Sequence, residues 1–394
     1  MRVGAWLVSA RDQLVWQRHA NTPLLVAVLG VLVGALTLIP GVPPSALFWA
    51  SLVGLAIGLL SMLWEWIALR RRFRASELVE RVPVFGGALP FDDDLPNAFR
   101  TDRGTILHSA DLDSEMCAGR EWHADMRSER YRLPDGIEGV APYILRRTSG
   151  GSLHFNGSCV RMLGDCRVDG SAVIPFQPAG FFDLLCTNDL MRWQISRGSS
   201  VWDVRGEYLY DENRRLFPLA SSELANVVGV STLAVSVDRM VLIVEQSPAN
   251  HASQGLLAPS GSGSLEPKDF DDDLQTFALK GANREFMEET GVPAGQVVRS
   301  KLIGYGRWLE RGAKPEFFGL TLLAGTREEI DRSRRRVGGA EAMYTRRAIW
   351  VPLDALLDPT DERRAVMSVP LAFALDSLER ALEEDPHVFA LPTV

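Results

Sequence analysis

Arg284-Glu285-Phe286-Met287-Glu288-Glu289-Thr290-Gly291-Val292 sets four charged side chains within six positions of an otherwise helical pattern. On a helix Glu285, Glu288 and Glu289 fall at i, i+3 and i+4, so three carboxylates share one face. Like charges one turn apart repel by roughly a few tenths of a kcal/mol, and something positive must offset them. Arg284, four residues before Glu288, offsets part. A divalent cation would offset the rest, and hard carboxylate oxygens suit magnesium or manganese. Thr290-Gly291 marks the helix stop, and strand-like segments flank the whole stretch.

These nine residues resemble the core of the Nudix box, R-E-U-x-E-E-x-G-U with U apolar. All fixed letters and both apolar positions match. The family's box begins upstream with G-x5-E, seven intervening residues before the arginine, and here Thr276 stands where that glutamate belongs. Further back, Pro259-Ser260-Gly261-Ser262-Gly263 followed by Leu265-Glu266-Pro267-Lys268-Asp269 looks like the family's glycine-rich loop, with Gly263 and Asp269 spaced as G-x5-D. Fourteen residues then separate Asp269 from Arg284. The extra seven are either a surface insertion around Asp271, Asp272 and Asp273 or two more helical turns, which would carry Asp269 roughly 10 Å further along the axis. The insertion preserves the site better.

The resemblance implies an α/β fold with a Nudix-type mixed sheet sandwiched between helices. It also implies hydrolysis of a nucleoside diphosphate linked to another group. Arg284, Glu285, Glu288 and Glu289 then form the catalytic set, the three glutamates bind Mg2+ or Mn2+, and Arg284 fixes them in place. Gly261 and Gly263 are the nucleotide-binding candidates, because their missing side chains let the loop backbone approach the phosphates or the helix. Asp269 is a further candidate whose register depends on the spacing. Glu316 reads either as an extra acidic ligand or as an exposed strand-edge carboxylate. Tyr305, Trp308 and Phe318 read either as core or as base-stacking residues.

The chain of 394 residues has room for two to three domains. Its net charge of −8 argues against electrostatic binding of a DNA or RNA duplex. The four cysteines, Cys117, Cys159, Cys166 and Cys186, form no C-x-x-C pair and read as buried, reduced thiols. The cluster Arg332, Arg334, Arg335 and Arg336 reads as a solvated surface, and the histidines show no repeated spacing.

From Ala20 to Trp64 there is no Asp, Glu, Lys, Arg or His. Two apolar runs, Pro23 to Ile39 and Ala46 to Leu63, each approach the ~20 residues that cross a bilayer core. Pro40-Gly41-Val42-Pro43-Pro44 between them is a helix-breaking turn. Residues 1–74 are therefore expected to be a two-helix transmembrane hairpin. Trp49, Trp64 and Trp66 suit the membrane interface, with Glu65 beside them, and Arg70, Arg71, Arg72 and Arg74 follow the second span. By the positive-inside rule both termini and the body face the cytoplasm, so the expected location is a bacterial inner membrane, multi-pass. Gly30, Gly34, Gly54 and Gly58 recur at small-x-x-x-small spacing, which serves either packing within the hairpin or self-association into a homo-oligomer.

Residues 75–218 are expected to form a β-rich cytoplasmic region of unnamed fold. Ser76 to Val82 reads as a helical stalk, Tyr143 to Arg147, Ser158 to Met162, Ser171 to Pro178 and Val204 to Tyr210 as strands, and Gly180 to Asn188 as a turn into a short helix. Residues 219–394 are the expected Nudix domain. There Val227 to Val237 and Met240 to Gln246 form a hairpin about Asp238-Arg239, Leu274 to Thr290 is the box helix, and strands recur at Val298 to Trp308, Phe317 to Leu323 and Arg347 to Val351. A closing helix follows Ser368.

Phe155-Asn156-Gly157-Ser158-Cys159-Val160-Arg161 and Phe181-Phe182-Asp183-Leu184-Leu185-Cys186-Thr187-Asn188 are similar to the region preceding the box in SMODS-associated Nudix proteins. Members of that group occur beside cyclic-oligonucleotide synthases in bacterial antiphage systems. Two functions follow as expectations. One is a membrane-anchored sensor that binds a nucleotide second messenger and acts on membrane lipid through its hairpin. The other is a tethered, metal-dependent Nudix hydrolase.

Overall fold

The computed structural model describes residues 76–81, 84–85, 87–148, 155–197, 199–247, 253, 255–337 and 345–389, with isolated helical positions between 48 and 67. Among the described residues no helix is long and apolar enough to cross a membrane. The expected hairpin at 1–74 lies almost wholly outside them.

In chain order the strands are β1 (Ser76–Glu80), β2 (Asn97–Thr101), β3 (Gly104–His108), β4 (His123–Met126), β5 (Ser158–Met162), β6 (Val173–Gly180), β7 (Trp193–Arg197) and β8 (Ser200–Trp202). They continue as β9 (Gly229–Val235), β10 (Met240–Gln246), β11 (Leu257–Ala258), β12 (Gly261–Ser264), β13 (Val297–Trp308), β14 (Lys314–Leu323) and β15 (Thr345–Pro352). The helices are α1 (Ala110–Ala118), α2 (Asp135–Glu138), α3 (Ala141–Thr148), α4 (Phe181–Cys186), α5 (Val204–Tyr208), α6 (Leu274–Thr290), α7 (Arg327–Ser333), α8 (Leu353–Leu357) and α9 (Val369–Glu384).

Two compact units divide the chain, one of Met1–Arg81, Leu133–Gly157 and Trp193–Asp203, the other of Val82–Arg132, Ser158–Arg192 and Val204–Val394. The expected β-rich stretch supplies strands to both. In the first unit β1, β7 and β8 make an antiparallel sheet in which Leu78 pairs with Ile195 and Ile195 with Trp202. The stalk reading of Ser76 to Val82 is corrected: Ser-Glu-Leu-Val-Glu alternates, burying Leu78 while Glu77 and Val79 stay exposed, which is a strand's period. Tyr143 to Arg147 belongs to helix α3. Pro142 sits in the first turn, where a missing N–H costs little, and Ala141, Ile144 and Leu145 bury one side at helical spacing.

The second unit holds a nine-stranded mixed sheet in the order β11-β10-β9-β14-β13-β3-β2, with β12 added to β9 and β15 to β10. The β9–β14 pairing is parallel and the others are antiparallel. Alternation assigns the faces. Ala234, Leu242 and Leu323 pack with Phe286 of α6, whereas Leu233, Val235, Ile243, Phe318 and Leu320 pack with Phe373, Leu375 and Leu378 of α9. The sheet thus carries a helix on each face. Val204 to Tyr208 is helix α5, correcting the strand reading: Val204, Arg205 and Tyr208 are buried one turn apart, and the Arg205 Nε donates to the Met191 carbonyl.

A smaller sheet, β4-β6-β5, completes this unit. Its β5 is tied to the large sheet by Val160 N to Leu265 O and Val228 N to Val160 O, both 2.9 Å. Its β4 reaches the start of α6, where Ala124 N donates to Asp272 O at 2.8 Å and Leu274 N to Trp122 O at 2.9 Å.

Candidate functional site

Strand β12 runs through Leu265 and Glu266 into a one-turn 3-10 helix, Pro267–Asp269, and residues 270–273 lead into α6. The helix starts at Leu274 because the Asp273 carboxylate accepts from Thr276 N at 2.7 Å. It stops at Gly291, which takes a left-handed φ of 74° and returns its N–H to Met287 O. Asp269 therefore lies off the helix, and the additional residues of the box divide between a loop and the first turns of α6. Thr276 is exposed in that first turn.

The loop brings Asp269 onto Arg284. Its two carboxylate oxygens accept from Arg284 Nε and Nη2 at 2.9 Å each, and Nη2 also donates to Ser264 O at 2.9 Å. The third nitrogen, Nη1, lies 2.8 Å from Glu285, 3.2 Å from Glu288 and 3.3 Å from Glu266. Burial alone would lower the guanidinium's pKa. The hydrogen bonds to Asp269 and the charge of Glu285 outweigh that and push it above its ordinary value.

Glu289 is only 4% exposed; its carboxylate accepts from Ser262 N at 3.1 Å and lies 3.4 Å from Gln246 Nε2. Glu288 is the outermost of the three glutamates, with 39% of its side chain exposed. The glycines of β12 let the helix come this close. A Cβ on Gly261 would stand 2.3 Å from Phe286 N, and one on Gly263 would stand 2.1 Å from the Glu285 carboxyl carbon. Of the two surfaces those glycines were expected to approach, the structure places the helix against them.

The loop itself is fastened. Lys280 Nζ reaches Asp271 at 2.6 Å, and Gln275 Nε2 donates to Met116 O and Arg120 O at 3.1 and 3.2 Å. Glu266, Lys268, Gln246 and the Ser262 amide had no role in the sequence reading. Glu266 and Lys268 were visible inside Leu-Glu-Pro-Lys-Asp but carry no helical or strand spacing relative to Arg284.

Glu316 is not a strand-edge carboxylate. It is 4% exposed in β14, between β9 and β13, and pairs with Lys314 Nζ at 2.7 Å. Burial drives the Lys314 pKa down, only partly countered by Glu316. Tyr305, Trp308 and Phe318 are core. The Arg332–Arg336 stretch is largely solvated, except that Arg334 Nε caps the Thr290 carbonyl at 2.9 Å. All four cysteines are buried free thiols.

Among the described residues no group of three or more His, Cys, Asp or Glu is drawn together as a metal would draw it. At this site the carboxylates close on Arg284. The donor chemistry nevertheless fits a hard divalent ion: among the described residues Arg284 and Lys268 stand within ion-pair distance of Glu266, Asp269, Glu285 and Glu288, two cations against four carboxylates, with buried Glu289 beside them. An anionic ligand could approach this cluster only with added positive charge.

No family model and no curated protein matches this chain. Among solved structures it is similar to a Nudix hydrolase from Nitrosomonas europaea, at 20% identity over 40% of this chain and 89% of that one, TM-score 0.27. A MutT protein from Methanosarcina mazei Go1 is similar at 19% identity over 40% of this chain and 94% of that one, TM-score 0.28. A Nudix hydrolase from M. smegmatis matches at 14% identity, covering 45% of this chain and 97% of that one, TM-score 0.27.

Proposed function

We propose that the face of α6 bearing Glu285, Glu288 and Glu289 is a Nudix-type diphosphate site, and that the chain is a membrane-tethered hydrolase of a nucleoside diphosphate-linked substrate. The Asp269–Arg284 pair carries this reading. The sequence departs from the Nudix pattern in the longer spacing between Asp269 and Arg284, which could leave a site that binds nucleotide without cutting it. Arg284 nevertheless donates two 2.9 Å hydrogen bonds to Asp269 across that spacing, which supports a site in working register.

Glu285, Glu288 and Glu289 would hold Mg2+ or Mn2+, which when bound supplies charge for the diphosphate oxygens and lowers the pKa of a water. Arg284 orients Glu285 and Glu288, and Asp269 with the Ser264 carbonyl orients Arg284. The close seat of β12 on α6 fixes the loop backbone beside these groups.

A second reading, a nucleotide sensor of antiphage defence acting through the apolar hairpin, is favoured by one observation. Arg284 Nη1 contacts both Glu285 and Glu288 and Glu289 is buried, so most of these carboxylates are engaged within the protein and Glu288 stays the most exposed of the three. The test uses full-length protein in detergent with Mg2+ and a panel of linear and cyclic nucleotides, reading binding and product together. Product formation lost in Glu288→Gln supports the hydrolase. Tight binding without product supports the sensor, and neither binding nor product across the panel would sink both.

A further inference from the structure

Resting on the diphosphate-site reading, we propose that Lys268 is the phosphate-contacting cation of this site, held over Glu288 until a divalent ion displaces it. Its backbone is fixed. Lys268 is the middle residue of the Pro267–Asp269 turn, whose proline presets φ at the first position and whose Glu266 N–H donates to the Asp269 carboxylate at 2.9 Å. Asp269 is in turn locked to Arg284, and Leu265 just upstream donates its N–H to Val228 O at 3.0 Å. The turn therefore fixes where the lysine's stem leaves the backbone.

The side chain, by contrast, is loosely held. It is 55% exposed, 3.2 Å from Glu266 and 3.9 Å from Glu288. The second distance is beyond a hydrogen bond, so toward Glu288 the ammonium feels only solvent-screened Coulomb attraction, while Glu266 is its nearer partner. Arg284 differs. Its Nε and Nη2 are occupied by Asp269 and the Ser264 carbonyl, and its Nη1 by glutamates. It cannot turn to a ligand without dismantling the box. Lys268 can.

A divalent ion on Glu288 cancels the attraction that holds the ammonium there and repels it. A diphosphate arriving with the ion offers the ammonium new oxygens within reach of the same turn. A compact ammonium on a flexible stem suits that exchange as a movable point charge. The two cations therefore oppose one another at Glu288 and cooperate on the ligand.

Lys268→Met in the full-length protein tests this with two titrations. Free Mn2+ followed by electron paramagnetic resonance, without nucleotide, should show about two- to five-fold tighter metal binding, the scale of one exposed ion pair. Non-cleavable α,β-methylene-ADP at saturating Mn2+ should bind about ten-fold more weakly, the scale of a charge-assisted hydrogen bond. Lys268→Arg should restore nucleotide affinity to within about two-fold, because the charge is kept. If wild type binds both probes and Lys268→Met leaves both affinities unchanged, or moves them together, Lys268 is only a solvated screen for Glu266 and the proposal is overturned. If wild type binds neither probe, the diphosphate site itself is refuted and the lysine's role with it.

Discussion

Arg284 shows how much a single side chain organises here. It is 12% exposed and collects Asp269, Glu285, Glu288, Glu266 and a carbonyl. Asp269→Asn removes a charge and one strong acceptor while three glutamates remain, so a loss of about 1–3 kcal/mol is expected, seen as a lower Tm. Weaker Mn2+ binding should accompany it. Wild-type metal affinity in that variant would count against Asp269 as the residue that sets the box. The buried Lys314–Glu316 pair gives a second expectation. Lys314→Met alone strands a carboxylate and should cost about 3–5 kcal/mol, whereas Lys314→Met with Glu316→Leu should recover most of it. A double variant no more stable than the single one would mean that packing around Gly229, not charge, sets the cost. Cys159 is a quieter case. Burial, then the charge of Glu266, push its thiol up to about 12, so at pH 8 it should resist iodoacetamide until the protein unfolds. Fast labelling of native protein there would contradict the buried position.

The box depends on how closely β12 and α6 approach, and glycine decides that distance. A methyl group on Gly261 would press on the backbone of Phe286, which cannot rotate away as a side chain could. Gly261→Ala should therefore cost about 1–3 kcal/mol and reduce Mn2+ affinity, because Glu285 and Glu289 move with the helix. A variant of unchanged Tm and metal affinity would show that the two elements yield independently. The helix itself was legible from local chemistry. Apolar residues at helical spacing and Gly291 as terminator give Leu274 to Thr290, the range observed, and the structure adds Asp273 as its N-cap. Strands β9, β10, β13, β14 and β15 were legible for the same reason, since each carries a long run bounded by turn residues. Short segments were legible unevenly: Ser158 to Met162 is the strand expected and Gly180 to Asn188 holds the short helix, whereas others fold otherwise than expected. Val204 to Tyr208 and Tyr143 to Arg147 contain apolar and aromatic residues at spacings that suit either state, and burial against neighbours made them helical.

At the scale of the molecule, the charge-free stretch from Ala20 to Trp64 predicts that full-length protein stays in the membrane fraction after alkaline carbonate washing. Release into the supernatant would remove the tether from the proposed function and leave the box untouched. The body is joined across long distances in sequence. Segment 122–124 pins Asp272 and Leu274, while Val160 pins Leu265, so residues well before the box hold both ends of its loop. By itself the sequence determined the three-carboxylate helix face, its C-terminal stop and the strands around it, because these depend on spacing within one or two turns. It could not decide whether Asp269 reaches Arg284, since the loop that carries Asp269 is anchored by hydrogen bonds with distant segments at Trp122, Ala124 and Val160. Nor could it place Glu316, whose burial follows from β14 being a central strand. Those two facts belong to tertiary structure: strand order and loop anchoring are settled by which distant backbones find each other, and no local period records them.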